Sequence, residues 1–250
     1  MLKKYLPDLL LLSIAIFWGA SYSLTKDALS FTTVLIFLTL RFGITFLLLL
    51  PFTLKRVLNT KKDILVFGLV LGLILSLIFL SETYGVKYTT ATNATLLISL
   101  TIIFTPYIDS FRTKQKPTFK LIIAGLLSIL GIFILTYNQN VSLNIGDILI
   151  LIAAILRAIM VTSIKAYTNR YKIDSLVLTQ LQMGVVFAVS FILLVISKEN
   201  FIIPKEINFW IQLGFIILFC TIFAFFAQNY GVKHSTPNKA SLLMGTEPLF

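Results

Sequence analysis

Two ionisable residues stand where a membrane-spanning helix would have its middle, Arg157 and Glu247. A charge at the centre of a bilayer costs from about 3 to more than about 10 kcal/mol unless it is paired or wet. The chemistry such a pair could do is a gated site, in which Arg157 holds a substrate carboxylate and Glu247 competes for the same guanidinium. The plain alternatives are a static salt bridge between helices, or an Arg157 that snorkels. Trp18, Ser21, Tyr22 and Thr25 recur at i, i+3, i+4 and i+7, one helical face that is aromatic and hydroxylic. That face could line a cavity, stacking on a solute and bonding its polar groups; otherwise it packs on a neighbour, with Ser and Thr bonded to their own backbone. Asn93 opens a helix, where an N-terminus facing a cavity attracts anions. Arg41 reads as a structural arginine bonded to backbone carbonyls or aimed at the outer interface, and Glu82 as an interfacial charge. Gln180 and Gln182 lie two apart and face different ways, so at most one looks inward.

The inventory also excludes chemistry. With one histidine, His234, and one cysteine, Cys220, no metal cluster and no intrachain disulfide can be assembled. The spans hold no nucleophile–base set, no paired carboxylates and no nucleotide-binding motif, so neither an enzyme nor a bound cofactor is expected.

The elements that must position these residues are membrane helices. The chain has 250 residues, 58% hydrophobic and 12% charged, with a mean hydropathy of +0.95. A soluble domain carries about 25% charged residues, so lipid is the solvent that fits. Spans of about 20 apolar residues are expected near Leu9–Asp27, Thr33–Leu54, Ile64–Ser81, Ala91–Phe111, Phe119–Tyr137, Asp147–Ala166, Leu176–Ser197 and Phe209–Tyr230. A ninth begins near Lys239. Gly68, Gly72 and Ser76, and likewise Ala124 and Ser128, recur every four residues and read as packing surfaces. With the N-terminus inside, fifteen lysines and arginines fall in inner segments against four outside (Lys26, Lys87, Lys198 and Lys205), and Arg41 and Arg157 fall within spans. The positive-inside rule favours this orientation in the cell membrane.

One stretch occurs twice. Tyr84–Leu97 reads YGVKYTTATNATLL and Tyr230–Leu243 reads YGVKHSTPNKASLL, with eight of fourteen positions identical. At an offset of 139, Asp8 matches Asp147 and Lys26 matches Lys165. LTLRFGITF (Leu38–Phe46) matches TQLQMGVVF (Thr179–Phe187), which sets Arg41 opposite Gln182. Five spans separate the copies of the long stretch. Five is odd, so the halves, 1–137 and 146–250, must be inverted. Inverted repeats place a binding site at their interface near the bilayer midplane.

These residues resemble the EamA-type family of the drug/metabolite transporter superfamily. The resemblance rests on Trp18-Gly19 with Lys26, Arg41-Phe42, the two YGVK stretches, Gly125 and Gly131, Gly146-Asp147, Gln182 and Glu247-Pro248. It implies an all-α polytopic fold of ten helices in two inverted five-helix halves, both termini cytoplasmic, around a central cavity. It implies export or exchange of a small metabolite such as an amino acid. Against that pattern the sequence is expected to break off inside the ninth helix. Arg157 stands where the family usually has a large apolar residue, and Ile102 where the second half has Pro248. The reading is therefore a secondary transporter of a small polar metabolite by alternating access. A lipid flippase or drug-efflux protein on the same scaffold is the alternative, and a membrane enzyme a more distant one. The partners are a small-molecule metabolite and the lipid bilayer, with a homodimer left open and no nucleic acid. The site residues this reading selects are Trp18, Ser21, Tyr22, Thr25, Asn93, Arg157 and Glu247.

Overall fold

In a computed structural model the described residues are 2–114, 119, 123, 125–127, 130–131, 144–171 and 173–250. The expected fifth span, Phe119–Tyr137, falls largely outside them, and Ala124, Ser128 and Asn138–Asn140 entirely. The helices are α1 (Leu2–Ala28), α2 (Val34–Leu58), α3 (Lys62–Tyr88), α4 (Ala91–Ile98), α5 (Thr101–Thr113), α6 (Ile145–Arg170), α7 (Ser175–Ser197), α8 (Ile207–Phe215), α9 (Ala224–His234) and α10 (Pro237–Met244). A π-helical segment, Ile216–Phe223, joins α8 to α9, and a 3₁₀ turn, Glu247–Leu249, follows α10. Among the described residues seven stretches are long and apolar enough to cross a membrane. The chain is a multi-pass membrane protein.

The surface agrees with a lipid solvent. Val66, Leu69, Val70, Leu73 and Leu77 form an exposed apolar stripe along α3, of a size that a water-facing helix would not carry. Hydroxyls within the spans are bonded to their own helix. Thr45 donates to the Arg41 carbonyl, Thr53 to Leu49, Ser76 to Gly72 and Thr105 to Thr101. A back-bonded hydroxyl has no polar hydrogen left to lose in hydrocarbon.

The duplicated stretch folds as a helix end, a break and a new helix start, twice. The first copy ends α3, and the Thr90 hydroxyl caps α4 by accepting from the Asn93 N–H at 3.1 Å. The second ends α9, and Thr236 caps α10 through the Lys239 N–H at 3.3 Å, with Pro237 at the first helical position. The matched lysines serve matched ends. Lys26 donates to the carbonyls of Val86, Lys87 and Thr89, and Lys165 to that of Lys233 at 2.9 Å. Each ammonium satisfies the carbonyls that a helix C-terminus leaves open.

The two halves meet along α2 and α7, which run antiparallel. Thr33 before α2 bonds Glu199 beyond the end of α7, while Arg56 near the end of α2 pairs with Asp174 at the start of α7. The crossing is reciprocal. A Cβ on Gly43 would come within 2.9 Å of the Phe187 ring, and a Cβ on Gly184 within 2.9 Å of the Phe46 ring. Gly43 and Gly184, and Phe46 and Phe187, are matched positions of the aligned segments, so each half offers a hole for the other's knob. Gly68 and Gly72 of α3 face Leu181 and Val185 of α7, as small residues at that spacing should. The third span of each half also lies on the first span of the other: α3 packs along α6, and the α8–α9 span along α1.

Two expectations are corrected here. The span from Ala91 is not one continuous helix. It breaks at Ser99–Leu100, where Ile102 and Ile103 donate back three residues to Ser99 and Leu100. The span from Pro237 likewise stops at Met244, so Glu247 does not lie on a continuous helix from Lys239. The Pro248 ring, which cannot donate and crowds the carbonyl four residues back, accounts for the second break. At the first, the Ser99 and Thr101 hydroxyls bond carbonyls three residues back and compete with the helical ladder.

Candidate functional site

Arg157 lies mid-way along α6, a helix made secure by an N-terminal capping box between Asn144 and Asp147. Its guanidinium splits between two carboxylates. Nη1 donates to Glu247 Oε1 and Nη2 to Glu82 Oε2, each at 2.9 Å. Nη2 also reaches the Tyr22 hydroxyl at 3.4 Å, and the guanidinium carbon sits 4.5 Å from the centroid of the Trp18 ring. The five side chains come from α1, α3, α6 and the segment after α10, so both halves contribute. Their burial makes each bond strong and each loss expensive, since a partner removed leaves a charge in a dry interior.

The sequence reading joined Arg157 to Glu247 and is matched in that contact, but it placed Glu82 at the outer interface. The structure corrects this: α3 continues past the expected end at Ser81 to Tyr88, which carries Glu82 more than a turn inside. Trp18, Ser21, Tyr22 and Thr25 are all buried, as one face of α1. Trp18 and Tyr22 touch Arg157, whereas the Ser21 hydroxyl is bonded to the Trp18 carbonyl at 2.7 Å. Asn93 stands at the start of α4 and is not among the side chains around Arg157. Gln180 and Gln182 are both buried, against the expectation that at most one looks inward, because α7 is covered from two sides. Gln180 donates to the Phe46 carbonyl, and Gln182 accepts from Asn229 at 2.8 Å.

A small cavity of about 10 Å³ adjoins the cluster, lined by Trp18, Thr101, Arg157, Val161, Gln228 and Glu247 among others. That is room for about one water, so the site is closed. Two acceptors beside it, Glu247 Oε2 and Gln228 Oε1, have no partner among the described residues. Both helix breaks border this cavity, through Ile98 and Thr101 on one side and Met244, Gly245 and Glu247 on the other. Broken helices at mid-depth are where transporter folds expose backbone and side-chain groups to solutes.

Arg41 is held differently. Its Nε donates to Thr221 Oγ1 at 2.8 Å and Nη2 to the Cys220 carbonyl at 3.5 Å, with its guanidinium over Phe79 and Phe42. The structural role expected for it is the one it has. The π-helical segment makes this possible: the longer ladder presents the Cys220 carbonyl to both Arg41 and Trp18 Nε1, the latter at 2.9 Å.

Sequence reasoning weighed Glu82 as a gating or proton-taking group before settling on an interfacial charge, and it did not place Glu82, Gln228 or Thr101 beside Arg157; the signal that could have done so is the repeat itself. The offset of 139 that matches Lys26 to Lys165 also matches Trp18 to Arg157. The offset of 146 matches Glu82 to Gln228, Ile98 to Met244 and Thr101 to Glu247.

The EamA-like transporter family model matches residues 6–137 and again residues 144–250. An uncharacterized transporter of Archaeoglobus fulgidus is 29% identical over 250 residues, covering 99% of this chain and 76% of that relative. The uncharacterized transporter YyaM of Bacillus subtilis is 24% identical, covering 96% of this chain and 82% of its own length. A solved crystal structure superposes with a TM-score of 0.77 over 97% of this chain and 84% of that one, at 15% identity. That last likeness speaks for the fold alone.

Proposed function

The chain belongs to the EamA-like transporter family, and from that premise we propose that it is a secondary transporter of a small polar metabolite bearing a carboxylate, such as an amino acid. It works by alternating access between two inverted halves, in the cell membrane, with its N-terminus inside.

The observation that carries this reading is the position of Arg157 between Glu82 and Glu247. A guanidinium satisfied by carboxylates can exchange one of them for a substrate carboxylate and keep its hydrogen bonds. Glu247 is the partner to be displaced. It sits on a short 3₁₀ turn rather than a long helix, and its second oxygen is unpartnered. Once displaced it is free to accept a substrate ammonium. Trp18 and Tyr22 supply an aromatic wall with one polar tip. Ser21, bonded to the Trp18 carbonyl, and Thr25 and Asn93, further along α1 and at the start of α4, are assigned a supporting place on the route rather than direct contact with the anchor. The antiparallel α2–α7 contact and the exchanged packing of first and third spans support alternating access, because each half can adopt the arrangement of the other. The water-sized cavity is then a closed state that must open for cargo to enter.

The test is a flux assay in proteoliposomes with a panel of amino and organic acids. Arg157→Lys keeps a positive charge but cannot form the bidentate fork. Transport of the best carboxylate substrate should fall at least about tenfold while thermal unfolding stays near that of the unmodified protein. Unchanged carboxylate flux in a well-folded Arg157→Lys protein would make the cluster a structural brace and withdraw the proposal.

A further inference from the structure

Away from the Arg157 cluster, an open cavity lies where four helix ends meet. It has a volume of about 450 Å³ and is walled by Asn59, Thr60 and Lys61 between α2 and α3, and by Arg170, Tyr171 and Asp174 between α6 and α7. Among the residues lining the cavity the charges do not cancel. Asp174 is already paired with Arg56 at 3.0 Å, and among the described residues Lys61 and Arg170, on opposite walls, have no ion-pair partner. Lys61 gives α3 no side-chain cap, and Asp63 in the first turn of that helix offsets the field of its open N–H groups, so the two basic side chains are the groups offered to an anion. The Thr60 hydroxyl is committed to its own helix at 2.7 Å and can still accept, and Asn59 and Tyr171 are polar members of the lining.

We propose that this cavity binds the phosphate headgroup of an anionic phospholipid, bridging the two halves of the protein at their cytoplasmic ends. Three observations carry the choice of a lipid. The cavity sits at the level where spans end, the depth of headgroups. Two of the basic residues that the positive-inside rule assigns to the inner face, Lys61 and Arg170, line it, and basic pockets between helices on that face suit anionic headgroups. The helices whose ends wall it carry exposed apolar residues nearby in sequence, Phe52 at 70% and Leu58 at 74% on α2 and Val66 at 51% on α3, which gives acyl chains a surface to lie on. An aromatic ladder of Tyr171, Tyr167 and Phe67, with the last two rings stacked at 3.7 Å, runs from the cavity wall into the protein's own core and braces that wall. Arg170 lies over the Tyr171 ring at 5.5 Å, which orients the guanidinium across the opening. A soluble anion would need the cations but would gain nothing from that apolar surface.

The consequence is regulatory. A headgroup held by Lys61 of the first half and Arg170 of the second ties together two segments that must separate if the cytoplasmic side opens, so anionic lipid would favour the state shown here.

The protein is reconstituted in nanodiscs of phosphatidylcholine alone or mixed with phosphatidylglycerol, and retained lipid is read by native mass spectrometry together with thermal unfolding. Phosphatidylglycerol should be retained selectively and raise the unfolding temperature. Lys61→Gln combined with Arg170→Gln should weaken that retention about 25-fold, from about 1 kcal/mol for each basic residue near a charged surface. Lys61→Arg with Arg170→Lys should keep most of it. Lys55→Gln with Lys114→Gln removes the same charge from the same face outside the cavity and should leave retention unchanged. Equal losses in the two glutamine pairs would reduce the effect to overall surface charge and overturn the site. The same stabilisation by inorganic phosphate in phosphatidylcholine would make the ligand a soluble anion and overturn the lipid assignment.

Discussion

The molecule buries two arginines within membrane spans and treats them in opposite ways. Arg41 is satisfied by a hydroxyl, a backbone carbonyl and two aromatic rings. Arg157 is satisfied by two carboxylates, a phenol and an indole face. Among the described residues Arg41 has no carboxylate within ion-pair distance, whereas Arg157 has two. The contrast is between an arginine held by the scaffold and one held by carboxylates. Carbonyls and rings are parts of the scaffold and stay where the helices put them. Carboxylates are the same chemistry as many metabolites, and the function proposed above rests on Arg157 trading one of them for cargo.

The hardest way to break this contrast is Arg157→Leu. It strands Glu82 and Glu247 together in a buried site and should cost about 3–5 kcal/mol of stability. Adding Glu82→Gln and Glu247→Gln should recover most of that, as read by thermal unfolding in detergent. Next, Arg41→Leu removes bonds but strands no charge. Thr221 keeps its own bond to the Ile216 carbonyl and Cys220 keeps Trp18, so the cost should be about 1–2 kcal/mol with substrate affinity unchanged. If the two leucine variants cost the same, the distinction between the arginines is wrong. Trp18→Phe sharpens the comparison, because Trp18 touches both: its ring lies under Arg157 and its N–H shares the Cys220 carbonyl with Arg41. A double-mutant cycle with Arg157→Lys in the flux assay should show coupling of about 0.5–2 kcal/mol. The same cycle with Arg41→Lys should show less. The smallest effect belongs to Arg56→Gln. That arginine is paired with Asp174 but both side chains are largely exposed, and unfolding should shift by less than about 1 kcal/mol.

The fold was legible because lipid simplifies it. Apolar run length marks spans, and the YGVK stretch marks the same helix–break–helix turn twice. Arg157 with Glu247 was legible for the same reason, since a charge in mid-span must find a partner. Glu82 was not, because its helix runs seven residues beyond the apolar run, from Ser81 to Tyr88, and hydropathy ends a span where polarity begins. The break at Ser99–Leu100 was hidden as well. It depends on hydroxyls choosing a nearby carbonyl over the ladder, and Ser and Thr within a span more often cause no break at all. The π-helical segment Ile216–Phe223 carries no composition of its own. It arises from what Arg41 and Trp18 need from the Cys220 carbonyl, a tertiary demand invisible along the chain.

The matched positions at the centre have a consequence for symmetry. Trp18 and Arg157 occupy one place in two copies of a unit, and they touch. In an assembly of two identical chains that place would hold the same residue twice. Two arginines face to face would repel, and two tryptophans would offer an anion nothing. The same holds for Thr101 and Glu247, where a symmetric pair would be either two neutral hydroxyls or two opposed acids. Within one chain the two places are free to differ, and here one holds a cation and its counterpart an aromatic ring.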